Sequence, residues 1–218
     1  TTVEDPVEYQ LDGVNQVQVF EDIGLTFGST LRSILRQDPD VLLIGEIRDG
    51  ETADIAVKFA LTGHLVFSTV HANDAPGTIT RLLDIGIAPF LVGSCLNLVM
   101  AQRLVRRLCN NCKEEYKPSD QELGLVGLDP SKVSGPLYRA KGCAECRNTG
   151  YKGRLAIFEM IPMARNLRKL VFDNANEDDL RQASLKNGME TLREAGLARV
   201  LDGTTTIEEI LRSTVEEL

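Results

Sequence analysis

The sequence lacks the charge, the leader and the apolar length that mark several common classes of protein. Lys and Arg number 24 against 32 Asp and Glu, which gives a net charge of −8 and a pI near 4.9. Nucleic-acid binding needs a basic face for the phosphates, so this balance argues against that class. No basic n-region, apolar h-region and cleavage site open the chain, so nothing signals secretion and we expect a cytoplasmic protein.

No apolar run is long enough to span a membrane as a helix. The longest, residues 87–101, is interrupted by Pro89, Ser94 and Asn97 and is shorter than the roughly 20 residues that a span needs. We interpret this run as a buried helix. Internal repeats and low-complexity tracts are absent as well. The first residues, TTVEDP, include no Met, from which we expect a fragment of a longer protein.

The composition is that of a globular protein, since 43% of the 218 residues are hydrophobic, enough for one large core and a smaller module. An amphipathic helix is predicted for TFGSTLRSILRQDPD, where Pro39 sets the end. A buried strand follows at Val41–Ile44, then a second helix in GETADIAVKFALTGH that ends near Gly63, and a second strand at 65–70. Strands joined by helices of this length predict right-handed crossovers and a parallel sheet.

The last third of the chain is predicted to begin with a strand that returns to the core, RLAIFEMIPM. Helical patterns come after it, at about 166–173, 177–187, 190–202 and 206–216. Thr205 or Thr206 is the predicted cap of the last helix. We expect the charges of these helices to face solvent or another subunit.

Polar residues follow both buried strands directly. Glu46 and Arg48 come after the first strand, and Thr69 and His71 come at and beyond the end of the second. An acidic residue at a strand end often only faces water, and a lone histidine is often structural. The carboxyl ends of parallel strands, however, form the ligand crevice of open α/β sheets, where a carboxylate can handle a metal-bound phosphate. Two such ends in neighbouring strands favour this second interpretation.

A third group of acidic residues lies at the start of the chain. Glu4, Asp5 and Glu8 follow the apolar Val3. Taken alone, this group is typical of a solvated turn, because Asp-Pro commonly starts a loop.

Four of the five cysteines form two CxxC pairs, in RRLCNNCKEEY and GCAECRNTGYKGR. Two such pairs offer four thiolates to tetrahedral Zn²⁺, which would tie together a segment with few apolar residues of its own. The alternatives are two disulfides, which a reducing cytosol disfavours, and four unrelated thiols, which the spacing disfavours. Four protein ligands leave no open position for water, so the predicted zinc is structural. The predicted ligands are Cys109, Cys112, Cys143 and Cys146.

These segments carry a resemblance to a known family. Four stretches closely resemble, in order and spacing, motifs of the secretion and pilus-assembly ATPase superfamily. TVEDPVEY resembles its aspartate box, LRSILRQDPDVLLIGEIRD its Walker B segment, TGHLVFSTVHANDA its histidine box, and AQRLVRRLC the segment that follows. The resemblance covers essentially the whole chain. Within the superfamily the chain looks most like the extension motor of type IV pilus assembly, with the type II secretion motor close behind. Some motors of the family, among them the retraction motors of pili, lack the four-cysteine insert, so its presence points towards extension or secretion.

The resemblance implies a RecA-like α/β ATPase core with flanking helices, which works as a homohexamer on an inner-membrane platform protein and lies peripherally at that membrane. By position, Glu46 matches the Walker B glutamate that orients the attacking water, and His71 matches the histidine that senses the γ-phosphate. Glu4 matches the acidic box that helps to hold Mg²⁺. Phosphoryl transfer requires such positioning and charge neutralisation. Further positions matched near ATP and its Mg²⁺ are Asp5, Glu8, Arg32, Arg48 and Thr69.

One motif of the family is missing. The phosphate loop, G-x-x-x-x-G-K-[ST], which the family places before the acidic box, occurs nowhere in the sequence. Without its lysine and main-chain N–H groups the β- and γ-phosphates have no primary holder, so we expect the chain to be inactive alone. A non-catalytic, zinc-bearing docking module for a membrane platform is the alternative function. The predicted domains are the C-terminal part of the ATPase core at 1–108, the tetracysteine insert at 109–154, and the returning strand with the C-terminal helices at 155–218.

Overall fold

The computed structural model describes residues 1–133 and 135–214. Residue 134 of the predicted insert, and residues 215–218 of the predicted C-terminal region and its last helix, lie outside these ranges. The chain forms two compact units, Thr1–Val99 with Ile161–Asn187, and Met100–Met160 with Gly188–Leu218. The predicted three-domain division stays a prediction.

The elements of the described residues are short, and helices and strands alternate in the first half of the chain. The strands are β1 (Thr2–Glu4), β2 (Gln16–Gln18), β3 (Val41–Ile44), β4 (Leu65–Ser68), β5 (Leu98–Leu108), β6 (Glu114–Tyr116), β7 (Leu137–Arg139) and β8 (Tyr151–Pro162). The helices are α1 (Phe27–Ile34), α2 (Gly50–Leu61), α3 (Ala75–Asp84), α4 (Pro89–Cys95), α5 (Asp120–Leu125), α6 (Arg165–Phe172), α7 (Glu177–Lys186), α8 (Leu192–Leu201) and α9 (Ile207–Ser213).

The first unit is built on a parallel sheet in the order β2-β1-β3-β4. Val3 of β1 lies opposite Ile44 of β3, and Leu42 of β3 lies opposite Val66 of β4. The side chains of Val3, Leu42 and Ile44 are wholly buried. The predicted parallel sheet and the predicted strand at Val41–Ile44 are therefore confirmed.

Local signals set the ends of the two helices that flank β3. Thr26 and Ser29 form a capping box at the start of α1, and the predicted apolar face is buried at Leu31 and Ile34. Asp49 caps α2 by accepting a hydrogen bond from the main-chain N–H of Thr52. Gly63 follows α2 with a φ of +103°, a conformation that favours glycine, as predicted. These caps set where α1 and α2 begin, on either side of β3.

The run at 87–101, interpreted from the sequence as one buried helix, has a different structure. Helix α4 ends at Cys95, and β5 begins at Leu98. Along β5 the side chains of Val99 and Ala101 are buried, whereas that of Met100 is half exposed. This alternation is the period of a strand, and the apolar run hid it because both faces of β5 carry apolar residues.

The second unit contains most of β5 and β8, which form a two-stranded sheet, and the antiparallel pair of β6 and β7. The predicted strand RLAIFEMIPM is confirmed as part of β8. Helices α8 and α9 belong to this unit, with Val200 and Ile210 wholly buried. None of the helices in the described part of the chain has the length and apolar character that a membrane crossing requires.

The position of Glu209, on α9, contradicts the expectation that the charges of the C-terminal helices face solvent or another subunit. Its side chain is wholly buried. Arg106 donates to it from the main-chain N–H and from the guanidinium, at 2.7 to 2.9 Å, and Arg212 donates at 2.7 and 3.1 Å. Burial alone would raise the pKa of Glu209, but the hydrogen bonds from Arg212 and Arg106 lower it to about 2.

We expect this carboxylate to make the second unit sensitive to acid. Because the pKa of Glu209 is lower in the folded chain, its contribution is complete above about pH 4.5 and is lost as the pH falls towards 2. The contribution is roughly 3 kcal/mol. Glu209→Gln should lower the free energy of unfolding by about that amount at pH 7 and flatten its decrease below pH 4.5. Urea unfolding at several pH values measures both, with the exposed neighbour Glu208→Gln as control; equal stability of the two variants would contradict the prediction.

Candidate functional site

Glu46 lies just beyond the carboxyl end of β3, and its side chain is only 14% exposed. One carboxylate oxygen accepts from the guanidinium of Arg48, and the other lies 3.1 Å from Nε2 of His71. The hydrogen bond from Arg48 holds the pKa of Glu46 below its usual value, although burial opposes it. Glu46 is thus an ionised, partnered carboxylate rather than one that faces water.

His71 reaches Glu46 because the chain after β4 is tied to the chain after β3. The hydroxyl of Thr69 donates to the main-chain oxygen of Gly45 at 2.6 Å. The main-chain N–H of Ile47 donates to the main-chain oxygen of Thr69 at 2.9 Å. The two strand ends predicted to be neighbours therefore lie side by side. The His71 ring itself is 85% exposed, so a ligand at this edge of the sheet can reach it.

The acidic group at the start of the chain lies beside the same edge. A Cβ atom on Gly45 would lie 3.2 Å from the main-chain oxygen of Val3 and 3.3 Å from the Cα of Glu4, so any larger residue would crowd β1 here. Thr2 and Gln16 donate to one oxygen of Glu4 at 2.6 and 2.9 Å. The hydrogen bond from Thr2, followed by that from Gln16, lowers the pKa of Glu4.

The other predicted site residues occupy different positions. Asp5 is exposed and close enough to Arg48 to raise the pKa of that guanidinium, after the larger effect of Glu46. The side chain of Glu8 is exposed, and a hydrogen bond from its main-chain N–H helps to lower the pKa of Glu4. Arg32 forms an ion pair with Glu51 of α2 instead of joining Glu46. Gly45 lies inside one of the quoted motifs but was not predicted as a site residue, and no motif pointed to Gln16; a glycine between a buried strand and a glutamate is the signal that points to Gly45.

The four predicted metal ligands come together in the second unit. Their sulfur atoms all lie within 4.8 Å of one another, and the pairs Cys109–Cys143, Cys112–Cys146 and Cys143–Cys146 are 3.9, 3.8 and 3.7 Å apart. Sulfur atoms at the corners of a tetrahedron around Zn²⁺ lie about 3.8 Å apart, given Zn–S bonds of about 2.3 Å. The cluster therefore fits a metal with four thiolate ligands.

The surroundings of the cluster supply main-chain donors to the sulfur of Cys146 and join the two halves of the cluster. Burial acts against ionisation of Cys146, but its sulfur accepts main-chain N–H groups from Cys143 at 3.1 Å and Gly150 at 3.2 Å, which lower its pKa. Asn111, inside the first CxxC pair, donates to Glu145, inside the second, and Lys152 forms an ion pair with the same carboxylate. The two pairs are thus linked without any contribution from a metal.

A parallel sheet with paired charged residues at the carboxyl ends of its strands defines the class of α/β proteins that bind ligands at that edge. The chain belongs to the type II/IV secretion system protein family, whose model matches residues 1–212. The family resemblance inferred from the sequence motifs is confirmed.

The relatives include proteins of both predicted systems. The type IV pilus assembly ATPase PilB of Myxococcus xanthus is 50% identical over 218 residues, which are 99% of this chain and 38% of that protein. The type II secretion system protein E of Pseudomonas aeruginosa is 50% identical over 216 residues, which are 99% of this chain and 43% of that protein. The chain therefore spans about two fifths of the length of these relatives.

A solved structure shares the fold. The crystal structure of the pilus retraction motor PilT with bound ADP matches this chain with a TM-score of 0.69 and 27% sequence identity. The match covers 99% of this chain and 52% of that one. The predicted α/β class, with a parallel sheet, flanking helices and a tetracysteine module, is confirmed.

Proposed function

We propose that this chain is the catalytic portion of an ATP-hydrolysing motor that powers type IV pilus assembly or type II protein secretion. The observation that carries the proposal is the contact of Glu46 with both Arg48 and His71 at the carboxyl edge of a parallel sheet. The identities of 50% with a pilus assembly ATPase and a type II secretion protein support the two systems equally. The motor acts as a homohexamer on an inner-membrane platform protein, at the cytoplasmic side of that membrane.

In the proposed reaction, Glu46 orients the water that attacks the γ-phosphate. Each of its oxygens has a hydrogen-bond donor already, but a carboxylate has lone pairs for more than two donors. Glu46 is ionised at neutral pH, and because its hydrogen bond from Arg48 lowers its pKa and makes it a weak base, its main role is to orient the attacking water. Arg48 neutralises charge that develops on the phosphate oxygens, and His71 senses the γ-phosphate from its exposed position.

The remaining predicted residues support the nucleotide. Glu4 and Asp5 would hold Mg²⁺ or its water shell, and that ion would supply charge neutralisation when bound. The proximity of Glu4 to Gly45 supports this role, since it brings the acidic group to the edge that carries Glu46. Glu8, Arg32 and Thr69 are proposed to line the nucleotide site from further away.

The tetracysteine cluster is proposed to hold one structural Zn²⁺. The sulfur spacing and the N–H donors at Cys146 support this, and four protein ligands leave no position for catalysis. We retain the proposed division into the ATPase core at 1–108, the zinc insert at 109–154 and the C-terminal region at 155–218.

The proposed site is completed by a phosphate loop that the 218 residues do not contain, as the coverage of 38% of a PilB relative allows. Among the described residues, β4 pairs only with β3, and the side chains of Leu65 and Phe67 on β4 are about half exposed. The open edge of β4 therefore offers pairing positions to a further strand. Such a strand would bring its phosphate loop beside His71.

Activity measurements with and without that loop test the proposed function. We expect the 218-residue chain alone to release phosphate at the background rate, because its sequence contains no phosphate-loop motif to cradle the β- and γ-phosphates. The longer protein, with the loop, should hydrolyse ATP when it forms the ring. Steady-state phosphate release at equal subunit concentration compares the two. Activity of the short chain would reveal a phosphate cradle within these residues, whereas inactivity of both would favour the docking module.

A further inference from the structure

We infer that Arg181, on helix α7, is a positioning residue for the loop that carries His71. The inference rests on the proposed function, in which His71 senses the γ-phosphate, and it adds a residue that none of the sequence motifs contains. Arg181 is 107 positions away from Asp74, the residue that it contacts at the end of this loop.

Arg181 joins two carboxylates beside the start of α3. Its Nη2 atom lies 2.7 Å from Oδ2 of Asp74 and 2.8 Å from Oε1 of Glu177. The side chains of Arg181 and Asp74 are only 29% and 21% exposed. Charge-assisted hydrogen bonds that are shielded in this way are stronger than exposed ion pairs, so this contact can hold a loop in place.

Asp74 divides its carboxylate between two tasks. Its Oδ1 atom accepts the main-chain N–H of Gly77 at 2.8 Å and so caps α3, while its Oδ2 atom accepts from Arg181. A Cβ atom on Gly77 would lie 3.0 Å from Oδ1 of Asp74 and 3.4 Å from Glu177, so glycine keeps this corner open for both carboxylates. Leu180, the neighbour of Arg181, is wholly buried and fixes α7 in place.

The loop that carries His71 is therefore anchored at both ends. At one end Thr69 is bonded to Gly45, beyond β3. At the other end Asp74 is bonded to α3 and α7. The His71 ring between them is 85% exposed, so packing does little to fix it. Besides the 3.1 Å contact of its own ring with Glu46, His71 is held through the loop and its two anchors, and Arg181 forms the second anchor with Asp74.

Loss of the second anchor should affect turnover more than nucleotide binding. The phosphate loop is the main holder of the triphosphate in the proposed site, so KM should change less than about threefold. A group displaced by about 1 Å from its reacting position can cost up to about 100-fold in rate. We expect Arg181→Gln in the longer protein to lower kcat roughly tenfold.

A direct test of position uses NMR of the 218-residue chain, which has two histidines, His64 and His71. His64 stacks on Phe59 at 4.0 Å between ring centroids, so its ring resonance serves as an internal reference. Arg181→Gln should move the ring resonance of His71 by more than its line width and leave that of His64 in place. Lys186→Gln, which removes one exposed positive charge from the same helix, is the matched control and should move neither.

Asp74→Ser separates the two tasks of that residue. Serine is a good N-cap, so α3 keeps its cap, but the charged acceptor for Arg181 is lost. We expect the same movement of the His71 resonance as with Arg181→Gln, with no further movement in the double variant. Arg181→Lys keeps a charged donor, so its His71 resonance should lie between those of the wild type and Arg181→Gln. If circular dichroism shows that Arg181→Gln does not fold, the His71 resonance of Asp74→Ser decides whether the contact positions the loop.

The outcomes separate this inference from the proposed function. An unmoved His71 resonance in Asp74→Ser overturns the positioning role, whatever the activities are. Full turnover of Arg181→Gln in a protein whose Glu46→Gln variant is inactive overturns it as well. A moved resonance together with full turnover of Glu46→Gln supports the anchor and contradicts the proposed chemistry instead.

Discussion

Glu46→Gln in the longer protein is expected to keep ATP affinity within about threefold of the wild type and to lower kcat by about 10²- to 10⁴-fold. The amide has the shape of the carboxylate and still accepts a hydrogen bond at one oxygen. It cannot accept the proton of the attacking water, and only its oxygen can still accept a hydrogen bond from the guanidinium of Arg48. Nucleotide binding by fluorescence and steady-state phosphate release measure the two effects separately.

Asp54→Asn is the matched control for that experiment. Asp54 is exposed on α2 and pairs with Lys58 one turn away, so its loss removes a carboxylate from the same unit without touching the strand ends. Turnover of Asp54→Asn should equal that of the wild type. Normal turnover of Glu46→Gln would mean that this carboxylate only ends the strand. Weaker binding with normal kcat would assign it to holding the metal in the ground state.

Cys112→Ser is expected to abolish zinc binding and to disorder the segment between residues 109 and 146. Zinc bound by four thiolates contributes its binding free energy directly to folding, about 10 kcal/mol or more in small zinc domains. Freshly purified, reduced protein should contain about one zinc per chain, and the variant almost none. Elemental analysis measures the metal, and hydrogen exchange measures the local order.

The fifth cysteine supplies the control for the zinc experiment. Cys95 lies on α4 in the first unit, outside the cluster, so Cys95→Ser should leave the zinc content unchanged. In Cys112→Ser, slow exchange at Leu42 and Ile44 should persist, because these residues are buried in the parallel sheet of the first unit. A wild-type protein that contains no zinc would refute the structural metal, and the cluster would then depend on its N–H···S and Glu145 contacts.

The helices and strands that the sequence predicted well are those with strong local signals. Thr26 and Asp49 cap their helices, Gly63 ends one, and the apolar run of β3 has the length of a buried strand. The cysteine cluster belongs to the same group, because the spacing within each CxxC pair brings two sulfurs together locally. The interpretation of 87–101 as one helix is confirmed for Pro89–Cys95 and wrong from Leu98 onward, because an apolar run without clear periodicity carries no such signal.

The candidate site was predictable in part for a related reason. Glu46 and His71 follow consecutive parallel strands, and parallel strands end at the same edge of their sheet, so their proximity follows from the order of elements. The sequence did not predict that Arg48 would occupy one oxygen of Glu46, or that Arg32 would pair with Glu51 instead. The choice between nearby charged partners depends on distances of a few ångströms, which a pattern of residue types does not contain.

The sequence by itself therefore determined the parallel sheet, the four-thiol cluster and the identity of the residues at the strand ends. Only the tertiary structure decided that Glu209 is buried between Arg106 and Arg212, and that Arg181 holds Asp74. Glu209 and Arg106 are 103 positions apart, and Arg181 and Asp74 are 107. Local patterns report propensity and periodicity over a few turns of chain, whereas an ion pair between residues so far apart in sequence forms only because folding brings distant segments together around a shielded carboxylate.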